Sequence, residues 1–291
     1  MSQERPRFTQ AELNEYMLEA YKEAVKASLR GDYGIGAVIV LDKSIIARSG
    51  NESVTIQIGR THGQHAEPIT FGFAIAQYVS RVGASIMRIK KAADNIRGKI
   101  AGAVGAYNAS ALFIKDPIKF EKEVLGELGI KASPMSTQVV EGEYMADFVH
   151  AMVAAFGVIA NLADDMRHLQ RSELSEVAEA FGKKQVGSST MPHKRNPINF
   201  ENVKSMWKAF MPRMSTVYMD QICEHQRDLT NSASSRFVPE ILAGLYTSVV
   251  RLNRVMGNLV VDRASLQRNF DMNKDMISAE PAYILLAHSP V

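Results

Sequence analysis

The sequence has little cysteine, little net charge and no long apolar run, and each shortage narrows what the protein can be. Its single cysteine, Cys223, excludes an internal disulfide framework and a multi-cysteine zinc site made by one chain. Lys and Arg total 34 against 31 Asp and Glu, and a net charge of +3 is too small to favour nucleic acid as the main partner. The N-terminus lacks an apolar signal segment, and no run of about 18 apolar residues predicts a membrane span. We therefore expect a cytoplasmic protein with neither a nucleic-acid nor a membrane partner.

Apolar residues at helical spacing dominate most of the chain. With 291 residues and 46% hydrophobic content, the chain is long enough for one large domain or two ordinary ones. Four stripes predict long helices, from Ile69 to Ile89, from Tyr144 to Leu169, from about Asn199 to Met219 and from about Pro239 to Val261. Such helices must bury their apolar sides against one another or against other copies, so we expect a homo-oligomer.

The first fifty residues have a different character. Leu13, Met17, Tyr21 and Leu29 lie at helical spacing and predict one helix over residues 10–30. Two β-rich runs over residues 36–42 and 45–48 predict a hairpin. Because no other part of the chain carries such a strand signal, we place a domain boundary after residue 53 and predict domains over residues 1–53 and 54–291.

The stretch from Gly187 to Pro197 is the most specific motif in the sequence. Gly187 permits a bend and the two prolines forbid continuous helix, which predicts a loop. The loop carries two serine hydroxyls and a Lys-Arg pair, so it can close over an anion.

A second motif runs from Thr55 to Pro68. Gly59 and Gly63 bracket Arg60, Thr61 and His62, and we predict a turn at the entrance of the first long helix. Unpaired backbone N–H groups and the helix dipole favour an anion at such a place.

Both motifs are similar to conserved regions of known enzymes. The stretch Gly187–Pro197 resembles the signature loop of the fumarase/aspartase superfamily, and its Pro-His-Lys-Arg-Asn-Pro ending resembles the adenylosuccinate lyase family in particular. The run from Thr55 to Pro68 resembles a second conserved region of that family. The resemblance implies a mainly α fold, a long-helix bundle that forms a homotetramer with active sites where several subunits meet. Here the bundle follows a small N-terminal helix and β-hairpin.

The resemblance also implies catalytic roles. His62 is the general acid that protonates the leaving nitrogen, and Glu201 is the carboxylate that supports the catalytic imidazole. Ser189 is our first choice for the base that removes a proton beside a carboxylate, and Ser188 is the second. The implied reaction is a β-elimination that releases fumarate from adenylosuccinate and from the succinylated carboxamide intermediate of purine synthesis. It needs no metal and no organic cofactor.

Further positions match residues that bind the purine nucleotide substrate. Gln138 resembles a residue that binds the succinyl carboxylate, and Ser136 or Thr137 beside it is a natural N-cap for the longest helix. The segment with Arg227, Ser232 and Arg236 resembles the one that grips the phosphate, since arginine donates hydrogen bonds in pairs. The remaining expected substrate-binding residues are Arg60, Thr61, Lys194 and Asn196.

The chain departs from the family pattern at both ends. Residues 1–53 resemble the start of zinc-dependent nucleoside and cytidine deaminases, with His65-Ala66-Glu67 about where a His-Ala-Glu motif falls. The Pro-Cys-x-x-Cys motif is missing, and one histidine cannot hold a catalytic zinc, so deaminase chemistry is not expected. The family's Ser-Ser-Asp region has no counterpart, and the chain stops where the family continues into another helical domain. Two alternatives follow: a catalytically impaired chimeric or structural assembly, or another lyase of the superfamily (argininosuccinate lyase, fumarase or aspartase).

Overall fold

A computed structural model of the chain describes residues 9–29, 36–41, 44–50, 55–182, 190–191 and 193–288. Its backbone contacts divide the chain into two compact units. The first unit comprises Met1–Ile75 and Arg263–Val291, and the second comprises Ala76–Asp262. The boundary that the sequence predicts after residue 53 falls inside the first unit and stays a prediction.

Nine α-helices lie in the described part of the chain. They are α1 (Gln10–Leu29), α2 (Phe71–Ala93), α3 (Pro117–Glu127), α4 (Gly142–Leu169), α5 (Ile198–Phe210), α6 (Arg213–Met219), α7 (Phe237–Met256), α8 (Arg263–Asp271) and α9 (Ala279–His288). Strands pair two by two: β1 (Gly36–Leu41) with β2 (Ser44–Gly50), β3 (Ile56–Thr61) with β4 (Gln64–Thr70), β5 (Arg97–Gly98) with β6 (Lys131–Ala132), and β7 (Val177–Ala178) with β8 (Val260–Val261). The β5–β6 pair is parallel and the others are antiparallel.

The first unit contains two hairpins, of which the sequence predicted one. Helix α1 contacts both strands of the β1–β2 hairpin, so the predicted helix and hairpin are confirmed. The second hairpin, β3–β4, contradicts the prediction that strands are confined to the first fifty residues. Its strands are joined by His62 and Gly63, whose φ values of 54° and 78° suit a two-residue type I′ turn. Strand β3 buries Gln57 and Ile58 and packs against α8.

The second unit is built around α4, which is 28 residues long and buried along most of its length. Helices α5 and α6 run antiparallel to it. Nζ of Lys204 donates to Oδ2 of Asp164 at 2.6 Å near the C-terminal end of α4. The Tyr218 hydroxyl is hydrogen-bonded to Nδ1 of His150 at 2.9 Å, nearer the N-terminal end of α4. Between these points, a Cβ added at Gly157 would lie 3.5 Å from Nε1 of Trp207. The buried residues of α4 are Ala146, Val149, Ala151, Met152, Ala155, Phe156, Val158, Ile159, Ala160, Leu162, Ala163 and Met166.

Two more helices complete the bundle. The part of α2 in this unit also runs antiparallel to α4, because Arg81 donates to Asn161 at 2.8 Å and Ile89 packs on the core around Val149. Helix α7 lies against α5, and Arg251 donates to Oδ1 of Asn199 at 2.9 Å. The predicted bundle of long helices is therefore confirmed in this unit.

Two of the predicted helices end early. The stripe from Asn199 to Met219 is divided, with α5 ending at Phe210 and α6 beginning at Arg213. Pro212 lies in the gap and has no backbone N–H to continue the helical hydrogen bonds. The stripe from Pro239 to Val261 ends at Met256, after which Val260 and Val261 pair as β8 with β7.

Helix α4 meets the length and composition of a membrane span, contrary to the expectation that no run would. No other helix in the described part of the chain does so. Half of its most apolar window is buried inside the protein, as in the core helix of a bundle.

Replacing Gly105 by Ala should destabilise the protein by about 3 kcal/mol or more. The residue has a φ of 78°, where a side chain costs about 1–2 kcal/mol, and an added Cβ would overlap the carbonyl oxygen of Ser136. Gly102 is the matched control, because its φ is 82° and an added Cβ would meet nothing within 4 Å. Gly102→Ala should cost about 1–2 kcal/mol in urea unfolding. Equal losses for the two variants would contradict the steric argument.

Replacing Asp164 by Asn should lower stability at pH 7 by about 1–2 kcal/mol. Burial acts to raise the pKa of Asp164, but hydrogen bonds from Lys204 and Arg167 outweigh burial and hold the pKa below its ordinary value of 3.8. Since folding lowers this pKa, the stabilisation is complete above about pH 4 and is lost as the pH falls through the native pKa. The difference between wild type and variant should therefore close in acid.

Urea unfolding at pH 7 and at pH 3 measures this difference. Glu123→Gln serves as the control, because the Lys119–Glu123 pair spans 3.8 Å with both side chains about two-thirds exposed. Such a pair should contribute less than about 0.5 kcal/mol. An Asp164→Asn loss that stays constant with pH would count against the assignment.

Candidate functional site

Gln138 and the segment around Arg227 lie together before the N-terminal end of α4. The backbone N–H of Gln138 donates to the carbonyl oxygen of Gln226 at 3.3 Å, and Nζ of Lys99 donates to the carbonyl oxygen of Gln138 at 3.0 Å. Helix α4 begins only at Gly142 with Glu141 at its N-cap position, so the prediction that Ser136 or Thr137 caps it is wrong. Gln138 instead stands in a loop with its side chain exposed.

Asp228 fixes the turn that presents Arg227. Its carboxylate accepts hydrogen bonds from the hydroxyl of Thr230 at 2.6 Å and from the backbone N–H groups of Thr230 and Glu224 at 2.8 and 2.9 Å. These bonds, with the Thr230 hydroxyl first, lower the pKa of Asp228. Arg227 is exposed, and its Nε donates to the backbone oxygen of Asp228 at 3.3 Å.

Ser232 and Arg236 follow on the same surface. Ser234 between them is buried, and its hydroxyl donates to Oδ1 of Asp220 at 2.6 Å. This bond ties the segment to the end of α6, which lies beside Gly142 at the start of α4. Ser232 and Arg236 are both exposed. We call Gln138, Arg227, Ser232 and Arg236 the N-end cluster, after the end of α4 near which they lie.

A cavity of about 440 Å³ is lined by sequence neighbours of this cluster. Thr137 and Val139, on either side of Gln138, line it, as do Asn231 and Ser235 next to Ser232 and Arg236. Its charged lining residues are Arg97 and the acidic Glu141, Glu143 and Asp220. The Arg97 guanidinium lies over the Tyr144 ring at 5.3 Å and donates to Oδ1 of Asn95 at 2.5 Å. Neither Arg97 nor Lys99 could be predicted from the sequence, since single basic residues outside a motif give no signal.

Other candidates lie at the opposite end of α4. Lys194 is exposed and Asn196 half-buried, both just before α5, and Glu201 is exposed in the first turn of α5. Gln170, the C-cap residue of α4, donates from Nε2 to the carbonyl oxygen of Arg195 at 3.2 Å, which fixes the location of this group. We call Lys194, Asn196 and Glu201 the C-end cluster. Ser188 and Ser189 lie outside the described residues.

The length of α4 separates the two clusters. Its 28 residues span about 40 Å at roughly 1.5 Å per residue. A purine nucleotide is much shorter than this distance. Within one chain, therefore, the N-end and C-end clusters cannot contact the same small molecule.

The remaining candidates belong to the first unit, at the tip of the β3–β4 hairpin. Thr61 and His62 are exposed there, and Arg60 is half-buried. The prediction that they stand at a helix N-terminus is wrong, because α2 begins at Phe71, where the Thr70 hydroxyl accepts the Phe73 N–H at 3.1 Å. A two-residue hairpin turn takes the place of the predicted helix entrance.

His65 and Glu67, on the strand after the hairpin tip, also interact with other side chains. Asn273 donates its side-chain N–H to Nδ1 of His65 at 2.9 Å. A hydrogen bond with Glu280, together with the like charge of that carboxylate, raises the pKa of Glu67. Across the described ranges, no group of three or more His, Cys, Asp or Glu side chains is arranged to hold a metal ion. The expectation that no metal or cofactor is needed stays a prediction.

Comparison with known sequences identifies a family. Residues 25–210 match the model of a family described as Lyase. The chain is 35% identical over 235 residues to adenylosuccinate lyase of Pyrococcus abyssi (strain GE5 / Orsay). This alignment covers 80% of this chain and 52% of the relative. It is 36% identical over 234 residues to adenylosuccinate lyase of Bacillus subtilis (strain 168), and this alignment covers 80% of this chain and 53% of the relative. The chain thus spans about half the length of the curated relatives it matches.

Solved structures share the fold. A 3-carboxy-cis,cis-muconate lactonizing enzyme from Pseudomonas putida aligns with a TM-score of 0.71 at 21% identity, over 95% of this chain and 56% of that one. A fumarate lyase from Mesorhizobium sp. BNC1 aligns with a TM-score of 0.69 at 20% identity, over 96% of this chain and 57% of that one. At such identities the likeness concerns the fold alone.

Replacing Asp228 by Asn should loosen the turn that carries Arg227. We expect faster amide hydrogen exchange at Glu224 and Thr230 at neutral pH, because the amide of Asn accepts these bonds more weakly than a carboxylate. Since folding lowers the pKa of Asp228 from 3.8, the wild-type protection should persist above about pH 4 and fade below it. Asp147→Asn, at an exposed position on α4, is the control. Unchanged exchange at both amides would refute the assignment.

Proposed function

Because the chain belongs to the lyase family of the fumarase/aspartase superfamily, we propose that it catalyses a β-elimination of the adenylosuccinate lyase type. The proposed substrates are adenylosuccinate and the succinylated carboxamide intermediate of purine synthesis, and fumarate is the shared product. The mainly helical fold that the sequence predicted is confirmed and agrees with this membership. Identity of about 35% to adenylosuccinate lyases is what favours this branch over other lyases of the superfamily.

The observation that carries the proposal is the arrangement of polar residues at the two ends of α4. The N-end cluster supplies two guanidinium groups, a hydroxyl and an amide, a set suited to a phosphate and a carboxylate. In the C-end cluster, Lys194 supplies an ammonium and Asn196 an amide, which suit the charge that develops on a carboxylate when the neighbouring carbon loses its proton. Glu201 adds a carboxylate to this cluster. In the proposed reaction, each cluster holds one part of the substrate.

The proton transfers are assigned to other residues. Ser189, with Ser188 as second choice, would remove the proton, and Lys194 and Asn196 would stabilise the resulting aci-carboxylate. His62 would protonate the leaving nitrogen, with Glu201 supporting the catalytic imidazole, while Arg60 and Thr61 hold substrate. A serine is a weak base at its ordinary acidity, so the reaction depends on stabilisation of the carbanion by cations and donors.

The separation of the clusters by about 40 Å favours an active site shared between copies of the chain. An N-end cluster of one chain would meet a C-end cluster of another. A homotetramer of long-helix bundles, acting in the cytoplasm on small-molecule substrates, is the assembly we propose. Exposed apolar residues along α7, among them Leu242, Tyr246 and Val249, are compatible with burial by another copy.

For residues 1–53 we propose a resemblance to the start of zinc-dependent deaminases without their chemistry. A helix followed by a hairpin supports this interpretation. The family match begins at residue 25 and so overlaps this segment. We therefore propose that the chain is chimeric, with this deaminase-like segment joined to the lyase-like remainder.

Fumarate release from adenylosuccinate, followed by ultraviolet absorbance, tests the activity. Lys194→Met should lower kcat by about 10²- to 10³-fold, because it removes a donor to the developing charge. Arg227→Met should instead raise KM by about 10- to 100-fold, because it removes a charged hydrogen bond to the phosphate. A wild-type protein that releases no fumarate would refute the proposed function.

Mixing the two variants tests the shared site. If the clusters of one site come from different chains, co-assembled Lys194→Met and Arg227→Met chains should regain activity at about one quarter of the sites. Lys194→Met mixed with Asn196→Ala is the control, since both defects lie in the C-end cluster and no site can be complete. A mixture that regains nothing, although the variants co-assemble, would contradict the shared site.

A further inference from the structure

We propose that Gln170 and Glu179 are positioning residues that hold Lys194 and Asn196 in the geometry the reaction needs. Gln170 follows the last residue of α4 and Glu179 follows β7, and both bond to residues just before or at the start of α5. We call Gln170, Glu179 and Asn199 the stem clamp. The inference rests on the proposed function, in which Lys194 and Asn196 hold the substrate.

Glu179 fixes the start of α5. Glu179 is 8% exposed, and its carboxylate accepts three hydrogen bonds: from the backbone N–H groups of Asn199 and Phe200, each at 2.9 Å, and from Nδ2 of Asn199 at 2.6 Å. A buried carboxylate is stable only with such partners, and the positive end of the helix dipole favours it further. No side chain at the N-cap position Pro197 makes a capping bond, so Glu179 fills that role from a distant part of the chain.

Gln170 bridges the two segments with one amide group. Its Oε1 accepts the backbone N–H of Glu179 at 2.9 Å, and its Nε2 donates to the carbonyl oxygen of Arg195 at 3.2 Å. The second bond falls between Lys194 and Asn196 in the sequence. A shift of the Arg195 carbonyl must therefore move both proposed substrate anchors.

Neighbouring contacts strengthen the same junction. Arg251 of α7 donates to Oδ1 of Asn199 at 2.9 Å, which adds a third helix to the clamp. The guanidinium of Arg195 lies 4.9 Å from the centre of the Phe181 ring, which joins the segment after Glu179 to the segment before α5.

The bonding pattern indicates positioning and not direct catalysis. The side-chain atoms of Gln170 and Glu179 are directed at backbone groups and at Asn199, within the protein. Groups used in this way act on a reaction through the residues they hold. A displacement of about 1 Å in such a support can cost about 10²-fold in rate.

Two variants separate positioning from stability. Gln170→Glu keeps the shape and the acceptor for the Glu179 N–H but replaces the donor to the Arg195 carbonyl by a repelling oxygen. Glu179→Gln keeps the shape and puts an NH₂ group against the donors at the start of α5. Asp164→Asn is the control, because it also weakens the contact between α4 and α5 but lies away from the clamp.

We expect Gln170→Glu to lower kcat for fumarate release by about 10- to 100-fold with little change in Tm, because Gln170 is only half-buried. Glu179→Gln should lower both kcat and Tm. The control should lower Tm without a comparable loss of kcat. If kcat for the two clamp variants falls no further than for a control of equal Tm, the residues are merely structural and the proposal is wrong.

Amide hydrogen exchange decides the point independently of activity. Exchange at Lys194 and Ile198 should be about tenfold faster in Gln170→Glu than in wild type and in the control, because their N–H bonds to Met191 and Asn196 lose support. If wild type releases no fumarate while exchange follows this pattern, the proposed function fails and the clamp stands. If exchange is unchanged, the clamp itself is refuted.

Discussion

Burial of α4 is the constraint on which the second unit depends. A helix with twelve buried residues over 28 positions must be covered on several sides at once, and helices α2, α5, α6 and α7 provide that cover. At the hydrophobic value of roughly 25 cal/mol per Å², each fully buried large side chain contributes about 1.5–3 kcal/mol. Polar contacts such as Asp164–Lys204 then set which residues face one another along the helices. The two candidate clusters take their positions from this packing, because each is bonded to segments that flank one end of α4.

The sequence was sufficient to predict the helices whose apolar stripes are regular and whose ends are marked by glycine or by a loop. It was insufficient where a local feature overrides the stripe. Pro212 divides one predicted helix into α5 and α6, although the apolar spacing continues through it. The β3–β4 hairpin was missed because a glycine-rich turn with a basic residue and an imidazole was interpreted as a helix entrance. Positive φ values at His62 and Gly63 are the property that distinguishes the two, and only coordinates reveal them.

For the candidate site, motifs predict which residues take part but not where these residues lie relative to one another. A motif identifies residue types, so Lys194, Asn196, Arg227 and Gln138 were selected from the sequence. Their separation by the length of α4 depends on the antiparallel course of the chain, which no motif encodes. Glu179 and Gln170 gave no signal at all, because an isolated carboxylate and an isolated amide are common in any helical protein. Their importance is visible only in the hydrogen bonds that join residues 170, 179, 195 and 199.

The position of Trp207 gives the protein an internal optical probe. It is the single tryptophan of the sequence, and its indole nitrogen faces Gly157 in the middle of the contact between α4 and α5. Excitation near the red edge of protein absorbance therefore reports on one helix contact without any introduced dye. Because α5 begins at the C-end cluster and ends near the core of α4, a shift in the emission maximum or in the quenching by iodide would register any separation of these helices.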